Sequence, residues 1–278
     1  MIGAVVAKEA RAERFRPVLG QEQREAVGRF LLAQGWAGLH LGDALRRLAL
    51  TDHPAESRLL SLLGPLGEVK GVALLQSGRL QLLAPLAEDR PAVAALLADH
   101  MDSLQRVSGQ QAQLPRELTE QFSHHARDVT VAPVLRVPER TLPRVRRARA
   151  GDAAALHQIY DHVSWMRLDS PDQWSQRLAQ ESSWVAERGG RLLAVARWTK
   201  SFGAVVEVGG VATDPESRRR GAATAVVLAA TAAALSAGMT PVLCFGDPDL
   251  AALYLPLGFE FVGREIVLNL RPEASPGI

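Results

Sequence analysis

The run Arg218-Arg219-Arg220-Gly221-Ala222-Ala223-Thr224 sets three guanidinium groups and one glycine where an apolar segment gives way to an Ala-rich one. That combination suits a pyrophosphate. Gly221 lets the backbone turn tightly and come close to a ligand. N–H groups after it would point at the anion, and a helix N-terminus adds partial positive charge. The arginines add charge-assisted hydrogen bonds to phosphate oxygens. Eleven residues before Arg218, Glu207 is the only carboxylate in the run from Ala204 to Thr213. A carboxyl group partly withdrawn from water is suited to taking a proton near neutral pH. Its plainer roles are a surface carboxylate or an ion pair with Arg197 or Lys200.

These residues need a strand, a turn and a helix to position them. Ala204 to Thr213 reads as a strand, Asp214-Pro215 as the turn, and Ala222 to Ala237 as a helix stopped by Gly238 at C′. By strand alternation, Glu207, Gly209 and Val211 would share one face. Pro241 to Phe245 reads as a buried strand, and Phe259 to Leu270 is strand-like. Upstream, Ser183–Glu187 and Arg191–Trp198 form a strand pair around Gly189-Gly190. Asp152 is a plausible N-cap for a helix over Ala154–Tyr160.

With that order of elements, Arg218-x-x-Gly221-x-Ala223 resembles the acyl-CoA loop of the GCN5-related N-acetyltransferases (GNAT). Downstream, Asp247 through Tyr254, Gly258 and Phe259 resembles that family's closing motif. Asp247 stands where Asn is usual, Leu250 where Ala is usual, and Pro256 is a departure. The resemblance implies an acyl-CoA-dependent N-acyltransferase with acetyl-CoA as cosubstrate. It places cofactor contacts at Val211, Ala212, Thr213, Arg218, Arg219, Arg220, Gly221, Ala222, Ala223 and Thr224. The backbone N–H groups of Val211, Ala212 and Thr213 would receive the thioester oxygen. Glu207 would be the base, directly or through water, and Tyr254 the acid that protonates the thiolate. Asp161, Trp165, Met166, Asp169 and Trp174 would either shape the acceptor side or serve ordinary packing. The alternative is a non-catalytic acyl-CoA-binding module on the same fold.

The first half repeats the outline. Glu68–Gln76 and Arg79–Ala84 form a strand pair, and Pro91–Met101 is a helix. Between them Ala87-Glu88-Asp89-Arg90-Pro91 offers two carboxylates and no glycine, which would repel a pyrophosphate. The resulting expectation is an α+β chain of two GNAT-like domains, each a mixed, mostly antiparallel sheet flanked by helices. Residues 1–140 would be a degenerate domain without a cofactor loop, and 141–278 the acetyltransferase domain.

The chain has 278 residues, enough for two such domains, and 47% hydrophobic and 22% charged residues mark it as globular. A net charge of +2 is too mild to argue for nucleic acid. The arginines between Arg140 and Arg149 are broken by proline and lack interleaved aromatics, so they read as a solvated linker. Cys244 is the lone cysteine, so no intrachain disulfide forms. No His, Cys and carboxylate spacing points to a metal. Lys8, Glu9 and Arg11 interrupt any secretory signal, and Ala222–Ala237 is too short to span a bilayer. A soluble cytoplasmic protein is expected, with a small-molecule or peptide amine as acceptor and neither membrane nor nucleic acid as partner.

Overall fold

A computed structural model describes residues 14–48, 57–163 and 170–270. Lys8, Glu9, Arg11, Trp165, Met166 and Asp169 lie outside the described residues. The chain divides into two compact units, Met1–Asp128 with Gly263–Ile278, and Val129–Val262. Residues 129–140 therefore fall in the second unit.

In the first unit the elements are β1 (Arg16–Pro17), α1 (Gln21–Ala33), α2 (Leu39–Leu48), β2 (Ser57–Leu63), β3 (Val69–Gln76), β4 (Arg79–Leu83), α3 (Arg90–His100), β5 (Arg106–Gln110) and α4 (Arg116–Gln121). β6 (Ser123–Val131) runs across the division at Asp128. Strands β1 to β4 pair antiparallel in sequence order, and β5 then joins β4 in parallel. Leu60, Leu80, Leu82, Val93, Leu97 and Val107 lie in one buried cluster of this unit.

The second unit contains β7 (Arg144–Arg147), α5 (Ala153–Asp161), α6 (Pro171–Gln180), β8 (Ser183–Arg188), β9 (Arg191–Phe202), β10 (Val205–Thr213), α7 (Ala222–Ser236), β11 (Thr240–Phe245) and α8 (Ala251–Tyr254). β12 (Glu260–Asn269) begins here and ends in the first unit. The order β11-β10-β9-β8-β7 is antiparallel except for the parallel β10–β11 pair. This is an α+β architecture with a mostly antiparallel sheet flanked by helices.

Strand alternation sorts the apolar side chains of β8 and β9 to the two faces of the sheet. Trp184, Ala186, Ala194 and Ala196 join Val226, Val227 and Ala230 of α7. Val185 and Val195 join Leu156, Tyr160 and Trp174 of α5 and α6. Small residues let α7 lie close to the sheet, near enough for the Trp198 indole N–H to reach the Ala230 carbonyl at 3.0 Å. The expected elements of this half are all present, and Gly238 at φ +70° follows α7. Helix α6 was not read from the sequence. Its start is a clear signal: Ser170 accepts from the Gln173 N–H at 3.4 Å, with Pro171 following.

Asp152 behaves differently from the expected N-cap. Its side chain makes no forward cap to α5. It accepts the Arg149 N–H at 2.7 Å and a two-pronged contact from Arg146 at 2.7 and 2.9 Å. The Arg146 hydrogen bond, offset in part by burial, holds the Asp152 carboxyl below its ordinary pKa. A bidentate guanidinium outcompetes a neutral backbone N–H for a carboxylate.

Candidate active site

The parallel ladder between β10 and β11 covers Val205–Glu207 against Thr240–Val242. Beyond Glu207 the two strands are no longer paired residue by residue, while β10 continues along β9 to Thr213. A wedge therefore opens at Glu207. Val211, Ala212 and Thr213 lie on its β10 side, and the chain then turns at Asp214 into the arginine loop.

Two register shifts shape β10, one at Glu207/Val208 and one at Gly209/Ala212. The second is a bulge with Gly210 at φ +57°. It overturns the simple alternation expected from sequence. Val208 and Val211 pack toward the α7 cluster, while Ala212 belongs to the α5–α6 cluster. The bulge inserts one residue, so Val211 leaves the face it would otherwise share with Gly209. The Tyr160 hydroxyl donates to the Gly210 carbonyl and holds the bulge from the α5 side.

Glu207 is 6% exposed. Its Oε2 accepts from Thr199 Oγ1 at 2.7 Å and meets Lys200 Nζ at 2.5 Å. Of the two cations considered from sequence, Lys200 is the partner. Arg197 pairs instead with Glu181 at 2.7 Å. Any further donor at this carboxylate would have to share it with Lys200 or displace it.

Tyr254 closes α8. Its ring is 4% exposed and packs against Phe245 and Phe259, with centroids at 5.4 and 6.1 Å. Burial pushes its pKa up to about 12. Among the described residues the hydroxyl has no hydrogen-bond partner. Pro256 does shorten the helix, because α8 gives way to a 3-10 turn over Leu255–Leu257.

In the loop, Arg218, Arg219 and Arg220 are exposed, and Arg219 itself takes φ +59°. Gly221 sits at φ +80° as the residue before α7, a conformation that suits glycine. No side chain caps the helix and its first turn carries no acid, so its leading N–H groups remain available. Ala222 and Thr224 turn their side chains inward, each 2% exposed. They can offer the loop only backbone N–H groups.

Of the two roles open to Trp174, packing is the one its surroundings fit. It is fully buried and stacked on Tyr160, with centroids 4.3 Å apart and planes 9° apart. It is core rather than the lip of a pocket. Asp161 is exposed at the end of α5.

One residue that sequence reasoning left in the linker reaches this site. Arg140 Nη2 donates to Thr224 Oγ1 at 2.8 Å. A proline-broken run of arginines gave no signal separating this one from its neighbours.

Residues 152–259 match the family model "Acetyltransferase (GNAT) family". A GNAT-family acetyltransferase from Colwellia psychrerythraea is 13% identical, with a TM-score of 0.64 over 93% of this chain and 100% of that one. A tandem GNAT protein from the clavulanic acid biosynthesis pathway is 15% identical, with a TM-score of 0.56 over 93% of this chain and 99% of that one. A putative GNAT acetyltransferase from Novosphingobium aromaticivorans is 23% identical over 52% of this chain, which spans 64% of its length, with a TM-score of 0.43. A search of the curated proteins finds no match.

Proposed function

Residues 152–259 belong to the GNAT acetyltransferase family, and from that premise we propose that the second unit moves an acetyl group from acetyl-CoA to an amine by direct attack. The observation that carries the proposal is the wedge at Glu207, which leads along β10 into an uncapped helix N-terminus preceded by three exposed arginines. The donor set fits a pyrophosphate. It combines free backbone N–H groups, Arg218, Arg219 and Arg220 without carboxylate partners among the described residues, and a glycine where the chain must approach.

In this reading the amine nitrogen attacks the thioester carbon, and its proton passes to Glu207, directly or through a water. Charge developing on the carbonyl oxygen is met by backbone N–H groups of Val211, Ala212 and Thr213. The carbon–sulfur bond breaks, and Tyr254 gives its proton to the leaving thiolate. Lys200 marks Glu207 as a carboxylate that already holds an ammonium group, which suits an amine acceptor of either the small-molecule or the peptide class.

The first unit is proposed to be an acetyltransferase-like half without cofactor binding. Asp89 lies at the start of α3 and is 2% exposed, with Lys70 Nζ 3.1 Å from it and 3.0 Å from Glu88. The place a phosphate would take already carries carboxylates and their counter-ion. The shortening of α8 at Pro256 favours a second reading, in which the fold binds acyl-CoA without turnover.

Calorimetric titration of acetyl-CoA into the wild type and Gly221→Glu tests the core of this reading. Micromolar binding to the wild type is expected, with loss in the variant, because a carboxylate would then face the phosphates. A folded wild type that binds no acetyl-CoA would end the acetyltransferase reading. If binding holds, amine-dependent release of free thiol separates the enzyme from the binding module. Glu207→Gln should then abolish most turnover while leaving the titration intact.

A further inference from the structure

Two positive features lie close together at the start of α7. One is the helix N-terminus, which has no side-chain cap and no acid in its first turn. The other is the guanidinium of Arg140. Where a Cβ on Gly221 would stand, Arg140 Nε and Cζ are each 3.7 Å away, and Leu142 Cδ2 is 3.2 Å away. A cation at a helix N-terminus opposes the helix dipole and destabilises the free protein. Among the described residues no acid pairs with Arg140: Asp214 and Glu216 are both taken by Arg191, at 2.6 and 2.8 Å, and the neighbouring Glu139 is exposed and makes no ion pair.

The arginine is nonetheless held there. Its Nη2 is fixed to Thr224 Oγ1 at 2.8 Å, its own N–H bonds the Pro138 carbonyl at 2.8 Å, and Arg136 N–H bonds the Leu257 carbonyl at 2.9 Å. Arg140 is exposed, and none of its other side-chain donors has a partner among the described residues. The first unit offers an internal contrast. There the helix α3 follows the same kind of strand and turn, and Glu88, Asp89 and Lys70 balance the charge within the chain. At α7 the balance is left to something from outside.

We propose that Arg140, from outside the family-matched segment 152–259, is a ligand of the acyl-CoA pyrophosphate. It comes from the linker rather than from the loop, and Thr224 acts as its anchor. This rests on the acyl-CoA reading given above. Sequence pattern could not assign the role, because the residue lies 78 positions before Arg218 and joins the site only through the fold.

The test is calorimetric binding of acetyl-CoA and of acetyl-dephospho-CoA, which lacks only the 3′-phosphate, to the wild type, Arg140→Ala, Arg140→Lys and Thr224→Val. Arg140→Ala should weaken both ligands alike, by about tenfold or more, the scale of a charge-assisted contact. It should also reduce the salt dependence of binding. Arg140→Lys should keep part of the affinity, since it restores a point charge but not the fork. Thr224→Val removes the same hydrogen bond without removing charge, so it should lose much less than Arg140→Ala. Equal losses in those two variants would mean a purely structural contact and would overturn the assignment. Unchanged or tighter binding by Arg140→Ala would also overturn it, the latter by making the arginine a plug. Weakening confined to acetyl-CoA would move the contact to the 3′-phosphate and reject the pyrophosphate. A wild type that binds neither ligand would remove the acyl-CoA reading itself, whereas every other outcome leaves that reading standing.

Discussion

Tyr254 shows how a single side chain can be ready for one step. Its ring is packed among Phe245 and Phe259, yet its hydroxyl has no partner among the described residues. With a pKa of about 12, raised by burial, it keeps its proton across the whole range in which an amine acceptor can be studied. A protonated phenol without a competing acceptor can serve a leaving thiolate. Tyr254→Phe should therefore lower kcat by about a hundredfold. It should change stability by no more than about 0.5 kcal/mol, because no hydrogen bond to a described residue is lost. Paired kinetics and thermal melts read both quantities. An alkaline fall in wild-type kcat below pH 10 would have to come from another group. Tyr254, Gly258 and Phe259 were legible through their resemblance to the family's closing motif. The absence of a partner for the hydroxyl was not, because it depends on how α8 stops at Pro256.

At the scale of the element, the bulge in β10 decides which way the wedge residues point. Gly210 makes it possible twice over. Its φ of +57° disfavours other residues, and a Cβ there would stand 2.6 Å from Arg197 Nε and 2.8 Å from Nη2. Arg197 cannot swing away easily. It is 4% exposed, bonded to Glu181, and set over the rings of Tyr160 and Trp174 at 5.5 and 5.2 Å. Gly210→Ala should cost about 2 kcal/mol from backbone strain and crowding. It should also cut turnover well beyond that of an equally destabilised core variant such as Val185→Ala, because Val211 and Ala212 would be re-aimed. A melt matched against kcat/KM separates the two effects. A loss of activity no greater than that of the matched core variant would deny the bulge its positioning role. The strand, loop and helix were readable in the sequence because apolar periodicity, Asp214-Pro215 and Gly221 each mark a boundary. The bulge was not, since alternation assumes an unbroken ladder. Trp174 left two roles open in the sequence, packing or an acceptor lip, and only its stacking on Tyr160 decides between them.

At the scale of the whole molecule, each unit contains a hairpin, a turn, a helix and a parallel return strand. These are β3–β4, α3 and β5 in one, and β9–β10, α7 and β11 in the other. The parallel ladders even match in extent, Arg79–Gln81 with Arg106–Ser108 and Val205–Glu207 with Thr240–Val242. That repeat was legible as an outline, from the strand pairs and the apolar helix. Strand β2, helices α1 and α2, and the return of the chain to the first unit through Gly263 were not, because long-range pairing leaves no local mark. Glu265 is the clearest case. It lies on β12 yet binds His40 of α2 at 3.0 Å and also accepts from Arg127 of β6, so it ties three elements of the first unit. Burial alone would raise its pKa, but His40 and Arg127 outweigh burial and bring it to about 2, against 4.5 for a free glutamate. A depressed folded pKa means that the ionised form favours the native state. Its stabilisation is therefore complete above pH 4.5 and is lost as pH falls toward 2. The difference corresponds to about 3 kcal/mol at full loss. Denaturant midpoints measured between pH 6 and pH 3 should fall steeply below pH 4.5 in the wild type. Glu265→Gln should start lower at pH 6 and show a flatter acid limb, because the group that titrates has gone. An acid limb equally steep in the variant would assign the loss to other carboxylates. Asp152, held by Arg146 in the second unit, would be the first to examine.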